Sequence, residues 1–365
     1  MKENRLPIVS LHSSSLIPPF IPHPSNALSI KDVAREAGVS TATVSHVLNS
    51  TRFVSEAVKA RVLSAVERCR YYPNAHARSL ASGRSQIVGL IVSDIANPFF
   101  PELVKSIETA AFEGGYDVVL SNTNYDTART SHYVRRFIER KVAGVVLMTS
   151  ELDLTLLDEL ARRQVPVVFL DLGAPGPHMS NLCVDYDVGI AAAIQHLVSL
   201  GHERIAFIAG PERLRSAARR LEAFRNSIKR LLPGAPALVY QGDLKIEGGQ
   251  RAARDILGEA VPVTAVVAAN DLTALGAMGE FRAAGLSIPR DISVVGFDDI
   301  AFASLASPPL TTVCLPRDEL GRRAVEALMK TVEHPEQQGV EIDIPTYLII
   351  RGSTGPAPGT TRIEE

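Results

Sequence analysis

The chain has 365 residues, 46% of them hydrophobic and 21% charged, with a net charge of −2. That length is too great for one ordinary core and suits two or three domains, and the composition is normal for a soluble globular protein. No apolar run approaches the roughly 20 residues that a bilayer-spanning helix needs, so no transmembrane segment is expected.

Residues 1–28, MKENRLPIVSLHSSSLIPPFIPHPSNAL, are interrupted by prolines at 7, 18, 19, 22 and 24 and lack the continuous apolar stretch of an export signal. They read as a disordered tail. Between Leu28 and Arg84, nine Lys and Arg stand against four Asp and Glu, a net +5; with +1 in the tail, the remainder of the chain carries −8. A small basic segment joined to a large acidic one points to a polyanion binder attached to a body with another task.

From Ser29 to about Tyr72 the pattern predicts three short helices. Ser29 and Asp32 form an S-x-x-D start, and Ile30, Val33, Ala34 and Ala37 line one stripe. Gly38 ends this helix and Ser40 caps the next. Two helices joined by so short a link must cross steeply, which is the helix-turn-helix arrangement. In the second, Thr41, Ala42, Ser45 and His46 share one face, and Val44, Val47 and Leu48 the other. The third helix starts after Ser55, buries Val58, Val62 and Val66, and finishes before Pro73.

The next stretch, PNAHARSLASGRS (73–85), is weakly helical and too brief to be stable alone. Strands then alternate with helices. The expected strands are IVGLIV (87–92), YDVVLS (116–121), GVVLM (144–148), VPVVFL (165–170), RIAFIAG (204–210), TAVVAA (264–269) and ISVVGF (292–297). Strands apolar on both faces, linked by helical crossovers, specify parallel sheets covered on both sides. About 270 residues of this pattern exceed one doubly wound sheet, so two subdomains are expected.

Cys69, Cys183 and Cys314 are odd in number, far apart and in apolar surroundings. They read as buried thiols of a cytoplasmic protein, with no disulfide and no metal site or cofactor. The chain has no G-x-G-x-x-G, no G-x-x-x-x-G-K-[ST], no HExxH and no nucleophile cluster, so an enzyme is not expected.

SIKDVAREAGVSTATVSHVLN, the run from RFVSEAVKARVL through SDIANPFF, and later HLVSLGHERIAFIAGP, VVAANDLTALGAM, ISVVGFDD and PPLTTV resemble the LacI/GalR family of transcriptional regulators. The resemblance runs from about Ser29 to about Thr354. Within the family, VSTATVSHVLN and TRF are particularly similar to the DNA-reading region of the purine repressor branch. The resemblance implies an N-terminal all-α helix-turn-helix domain plus an α/β, periplasmic-binding-protein-like body of two doubly wound parallel-sheet subdomains. The implied organisation is a tail (1–28), a DNA-binding domain (29–73), a hinge helix or linker (74–85), a ligand-binding and dimerisation body (86–354) and a second tail (355–365). Subdomain one would take about 86–184 and 315–334, and subdomain two about 185–313 and 335–354.

By the same resemblance the partners are a pseudo-palindromic double-stranded DNA operator, a second copy of the chain and a small-molecule effector, a sugar or other metabolite. Residues 41–48 would be the recognition helix, with Thr41, Ala42 and His46 on base edges and Thr43 and Ser45 on phosphates. Arg52 would add a guanine or backbone contact, and Leu80 would wedge into the minor groove. The effector would lie between the subdomains, outside the carboxyl ends of strands, against Phe99, Phe100, Ser150, Arg220, Asn270 and Asp298. Leu244 stands where the family often has an aromatic residue that stacks on a sugar or base, and Leu172 and Leu214 where the purine branch has a ligand-contacting aromatic and arginine, so a purine effector is not expected. Whether the ligand induces or corepresses stays open. A solute-binding protein would share the body, but it predicts an export signal and no helix-turn-helix. No leucine heptad follows residue 352, so a tetramerising coiled coil is not expected.

Overall fold

The computed structural model describes residues 29–49, 52–72, 85–149, 151–152 and 154–359. The chain divides into two units, Met1–Gly83 and Arg84–Glu365.

The first unit contains α1 (Ile30–Ala37), α2 (Thr41–Asn49) and α3 (Glu56–Cys69). Its α1 begins where the Asp32 carboxylate accepts from the Ser29 N–H at 2.8 Å and the Ser29 hydroxyl at 2.7 Å. Gly38, at φ 65°, takes the left-handed conformation that turns the chain. The Ser40 hydroxyl then accepts from the Thr43 N–H at 3.1 Å and starts α2. Val33, Ala34, Ala37, Val44, Val47, Val62 and Ala65 form the core, with Ile30, Val58 and Val66 at its rim.

The second unit has two six-stranded sheets. The first comprises β1 (Ile87–Val92), β2 (Asp117–Asn122), β3 (Gly144–Met148), β4 (Val167–Leu170), β5 (Met179–Val184) and β11 (Glu341–Ile344), in the order β11-β5-β4-β3-β1-β2, all parallel. The second comprises β6 (Ile205–Ala209), β7 (Leu238–Gln241), β8 (Ala265–Ala268), β9 (Ser293–Asp298), β10 (Thr311–Cys314) and β12 (Tyr347–Ile349), in the order β12-β10-β9-β8-β6-β7. Only β12 runs antiparallel, against β10. Helices α4 (Phe99–Glu113), α5 (Thr127–Glu139), α6 (Leu154–Arg162) and α12 (Arg317–Glu333) pack with the first sheet. Helices α7 (Tyr186–Ser199), α8 (Arg215–Leu231), α9 (Ile246–Leu257), α10 (Asp271–Ala283) and the short α11 (Ala301–Leu305) belong with the second.

The chain crosses between sheets three times, at Asp185, at Leu315–Pro316 and at Pro345–Thr346. The last crossing was expected near residue 335; the sheet pairing puts it about ten residues later, because EIDI adds β11 to the first sheet. Ile342 and Ile344 continue that sheet's apolar face while Glu341 and Asp343 point to the other. Gly339 admits this strand, since a Cβ there would lie 1.9 Å from the Met179 carbonyl oxygen. At the crossings, Asp185 N–H donates to the Ile344 carbonyl at 3.0 Å and the Thr346 hydroxyl donates to the Asp185 carbonyl at 2.5 Å.

Two further differences concern the ends and the thiols. The tail expected from residue 355 is packed at least to Ala357, whose N–H bonds the Leu200 carbonyl, while buried His202 donates to the Gly355 carbonyl at 3.0 Å. Only Cys314 is buried; Cys69 and Cys183 are half-exposed free thiols. Among the described residues no helix is long and apolar enough to cross a membrane.

Candidate functional site

The first candidate site is the outer face of α2. Burial of Val44 and Val47 against α1 and α3 turns Thr41 and Ala42 fully outward, with Ser45 and His46 partly exposed beside them. The Thr43 hydroxyl is paired with that of Ser40 at 2.9 Å, and Ser45 accepts from the Asn49 amide at 3.2 Å. His46, exposed Arg52, Phe53 and Lys59 border one depression. Phe53, 97% exposed, was not singled out from the sequence; an aromatic directly after Arg52, outside every helical stripe, was the available signal. A helix showing small polar groups at its N-terminal end, flanked by cations, can enter the DNA major groove. Leu80, in the segment 73–84, lies outside the described residues, as does Ser150.

The second site is a cleft of about 620 Å³, its open mouth included, in the α/β body. Phe99, Phe100, Arg220, Asn270 and Asp298 all line it. Phe99 and Phe100 open α4 and meet edge to face, 5.3 Å between centroids. Arg220, on α8, is buried with Asp298 at the end of β9: Nη2 to Oδ1 is 3.0 Å, and Nη1 donates to the Ala269 carbonyl at 2.7 Å. Its guanidinium also lies 4.1 Å from the Phe297 ring centroid. The Arg220 Nε has no hydrogen-bond partner among the described residues. Burial pushes the Asp298 carboxyl up to about 6, against the opposing pull of Arg220 and Arg317.

Asp298 and Asp299 sit at φ 107° and 56°, a turn that L-residues rarely adopt. Arg317 holds it by donating to both carbonyls, at 2.7 Å to that of Asp299, while its Nε reaches Glu102 on α4 at 2.8 Å. A single side chain thus ties the turn of the second sheet to the first sheet's helix. Further links across the cleft run from Arg213 to the Tyr125 carbonyl at 3.2 Å and from Arg215 to the Leu172 carbonyl at 3.0 Å.

Asn270 stands in the cleft wall, but its amide is committed to the protein. Its Oδ1 caps α10 on the Thr273 N–H at 3.0 Å, and its Nδ2 donates to the Leu244 carbonyl at 2.9 Å. Leu244 lines the cleft, whereas Leu172 and Leu214 are buried and do not line it. Tyr125, Asp171, Tyr186, Ser93 and Thr149 also line it and escaped the sequence reading. Asp171 accepts from the Val184 N–H at 2.9 Å and the Tyr186 hydroxyl at 2.8 Å; burial raises the pKa of both side chains. The Ser93 hydroxyl donates to Thr149 at 3.0 Å and Glu151 at 3.1 Å. All follow the carboxyl ends of parallel strands, which was the one signal that could have found them.

Residues 29–74 match the model of bacterial regulatory proteins, lacI family, and residues 194–354 match a periplasmic binding protein-like domain. The ribose operon repressor of Escherichia coli (strain K12) is 39% identical over 328 residues, covering 89% of this chain and 99% of its own. The HTH-type transcriptional repressor PurR of Photobacterium profundum is 36% identical over 327 residues, covering 89% and 98%. Among solved structures, the lac repressor dimer bound to operator and the anti-inducer ONPF superposes with a TM-score of 0.81 at 30% identity, covering 90% of this chain and 99% of that one.

Proposed function

The chain belongs to the lacI family of bacterial regulatory proteins, and from that membership we propose how its two units share one task. It is a DNA-binding transcriptional repressor whose operator affinity is set by a small molecule bound in the body. Its relatives are repressors and not enzymes, and we read this chain likewise as a non-catalytic cytoplasmic regulator. Thr41 and Ala42 pack on thymine methyls, His46 donates to a guanine O6 or N7, and Thr43, Ser45 and Arg52 set the register on the backbone. Two copies present paired α2 helices to a pseudo-palindromic operator. Ile246, Phe302 and Leu305, 43–76% exposed, border one apolar groove with Leu272 and Leu275; this is the face on which the copies would meet.

The effector we infer is a small polyol, a pentose before a purine. The observation that carries this is the buried Arg220–Asp298 pair in the cleft wall. A guanidinium and a carboxylate side by side serve vicinal hydroxyls, and the Phe99–Phe100 pair offers an apolar surface to a sugar's C–H face. Leu244 offers no ring for a planar base to stack on. The similarity to a ribose operon repressor favours the same choice. A ligand shifts operator affinity only through differential binding to two subdomain arrangements, typically by about 5–150-fold. Fluorescence anisotropy of labelled operator, titrated with ribose, other pentoses, hexoses and purine bases, tests this reading. A pentose response supports it, its direction distinguishing inducer from corepressor; a response to purines alone overturns it.

A further inference from the structure

A second group of donor atoms lies away from the cleft, where β5 meets β11 at the edge of the first sheet. Asp343 pairs in register with Cys183, and Glu341 with Asn181. Paired residues of parallel strands share a face, as do residues two apart on one strand. Phe169, the β4 partner of Asn181, packs in the core beneath α5 and α6, while Leu182 and Ile344 pack on the opposite side. Cys183, Asn181, Glu341 and Asp343 therefore stand together on the α5 and α6 side. One ligand atom each from Cys183, Glu341 and Asp343 lies within 4.8 Å of the others. Beside them Asn181 is 3% exposed, and its amide oxygen has no hydrogen-bond partner among the described residues. A buried acceptor without a donor is a costly arrangement in a protein interior, and a cation resolves it.

We propose that Cys183, Glu341 and Asp343, completed by the Asn181 amide oxygen, bind a thiophilic divalent cation of the Zn²⁺ class and so clamp β5 to β11. Carboxylates and an amide oxygen alone would suit Mg²⁺ or Ca²⁺, but the sulfur shifts preference toward Zn²⁺ and Co²⁺. Four donors from two adjacent strands match the four-coordinate habit of zinc. Burial, then the neighbouring carboxylates, keep the Cys183 thiol protonated above its ordinary range. Binding forms a metal–sulfur bond and releases that one proton to solvent. This revises the expectation that the three cysteines have no metal chemistry. Cys183 and Asp343 each stand two residues before a crossing segment, Asp185 and Pro345–Thr346, so the clamp lies at the base of the hinge.

The test is a Co²⁺ titration of the full chain under a thiol-free reductant, reading the thiolate-to-Co²⁺ charge-transfer band, followed by displacement with Zn²⁺. One Co²⁺ per chain is expected, with the band retained in the Cys69→Ser/Cys314→Ser variant and lost in Cys183→Ser. Asp343 is exposed, so Asp343→Asn should fold; it should bind Co²⁺ about tenfold or more weakly, a loss at least that of an outer-shell partner. A full chain that binds no Co²⁺, a band that survives Cys183→Ser, or Asp343→Asn binding as tightly as the parent would each overturn the site.

Discussion

Removing the charge of Asp298 should flatten part of the stability–pH profile of the body. The carboxyl is 3% exposed and titrates at about 6 in the folded chain against 3.8 for the free group. Below about pH 4 it is protonated in both states. As pH rises from 4 to 6 the unfolded chain releases its proton first, so the folded state loses ground by about 3 kcal/mol. Asp298→Asn keeps the shape and an oxygen for Arg220 but has no proton to lose, so this component should vanish. Asp171 and Asp271 are also raised by burial and leave a residual slope of the same sign. Arg220→Ala does the opposite, stranding a buried carboxylate, and should cost about 3–5 kcal/mol at pH 8. The cost should shrink at pH 5, where the carboxyl is protonated, and the Arg220→Ala/Asp298→Asn pair should recover much of it. The chain has no tryptophan, so urea unfolding is followed by far-ultraviolet circular dichroism at pH 5 and 8. An Asp298→Asn profile parallel to the parent's, or an Arg220→Ala penalty equal at both pH values, would refute the assignment of charge to this pair.

The remaining predictions concern DNA, the effector and association. His46→Ala should cost about 1–3 kcal/mol of discrimination at one base position, visible in selection of bound DNA with and without the substitution. Operator affinity should fall with salt on a log–log slope of about −0.9 for each phosphate neutralised; a slope near zero would contradict the interface on α2. In the stable Arg220→Ala/Asp298→Asn background the effector response should be lost while ligand-free operator binding persists, and a normal response would remove Arg220 from the effector site. Phe302→Glu with Leu305→Glu should convert dimers to monomers in sedimentation velocity, whereas dimers of unchanged affinity would place the contact elsewhere.

What could be read from the chain was whatever is local. The Ser29, Gly38 and Ser40 punctuation specified α1 and α2 because caps and left-handed turns depend on residues three or four apart. The seven strands with unbroken apolar runs were legible for the same reason. The strands that were missed, MSNLCV, LVYQ, TTVC, EIDI and YLI, are short, or polar on one face, or at a sheet edge. Their pairing is decided by neighbours far away in sequence: Glu341–Ile344 becomes a strand because β5 offers a free edge and Gly339 lets the backbone approach. In the cleft, Arg220 and Asp298 could be found because each sits in a recognisable run. The commitment of Asn270 to Leu244 and Thr273 could not be found that way, nor could the meeting of Cys183 with Asp343.

The cleft's polar groups also explain how a small ligand could be felt beyond its own contacts. Asp298 and Asp299 occupy backbone conformations that are unfavourable for side-chain-bearing residues and persist only where surroundings over-determine them. Three holds are visible: Arg220 on the Asp298 carboxylate, Arg351 on the Asp299 carboxylate at 2.6 Å, and Arg317 on both carbonyls. Arg317 directly follows the Leu315–Pro316 crossing and also grips Glu102, three residues along α4 from Phe99. The turn is therefore braced simultaneously by its own sheet, by a hinge segment and by the opposite subdomain's aromatic-bearing helix. If the effector's hydroxyls engage Asp298 or Arg220, as proposed above, they compete with one of these three holds. A ligand that engages these groups shifts the population of arrangements only by as much as it binds one of them better than the other.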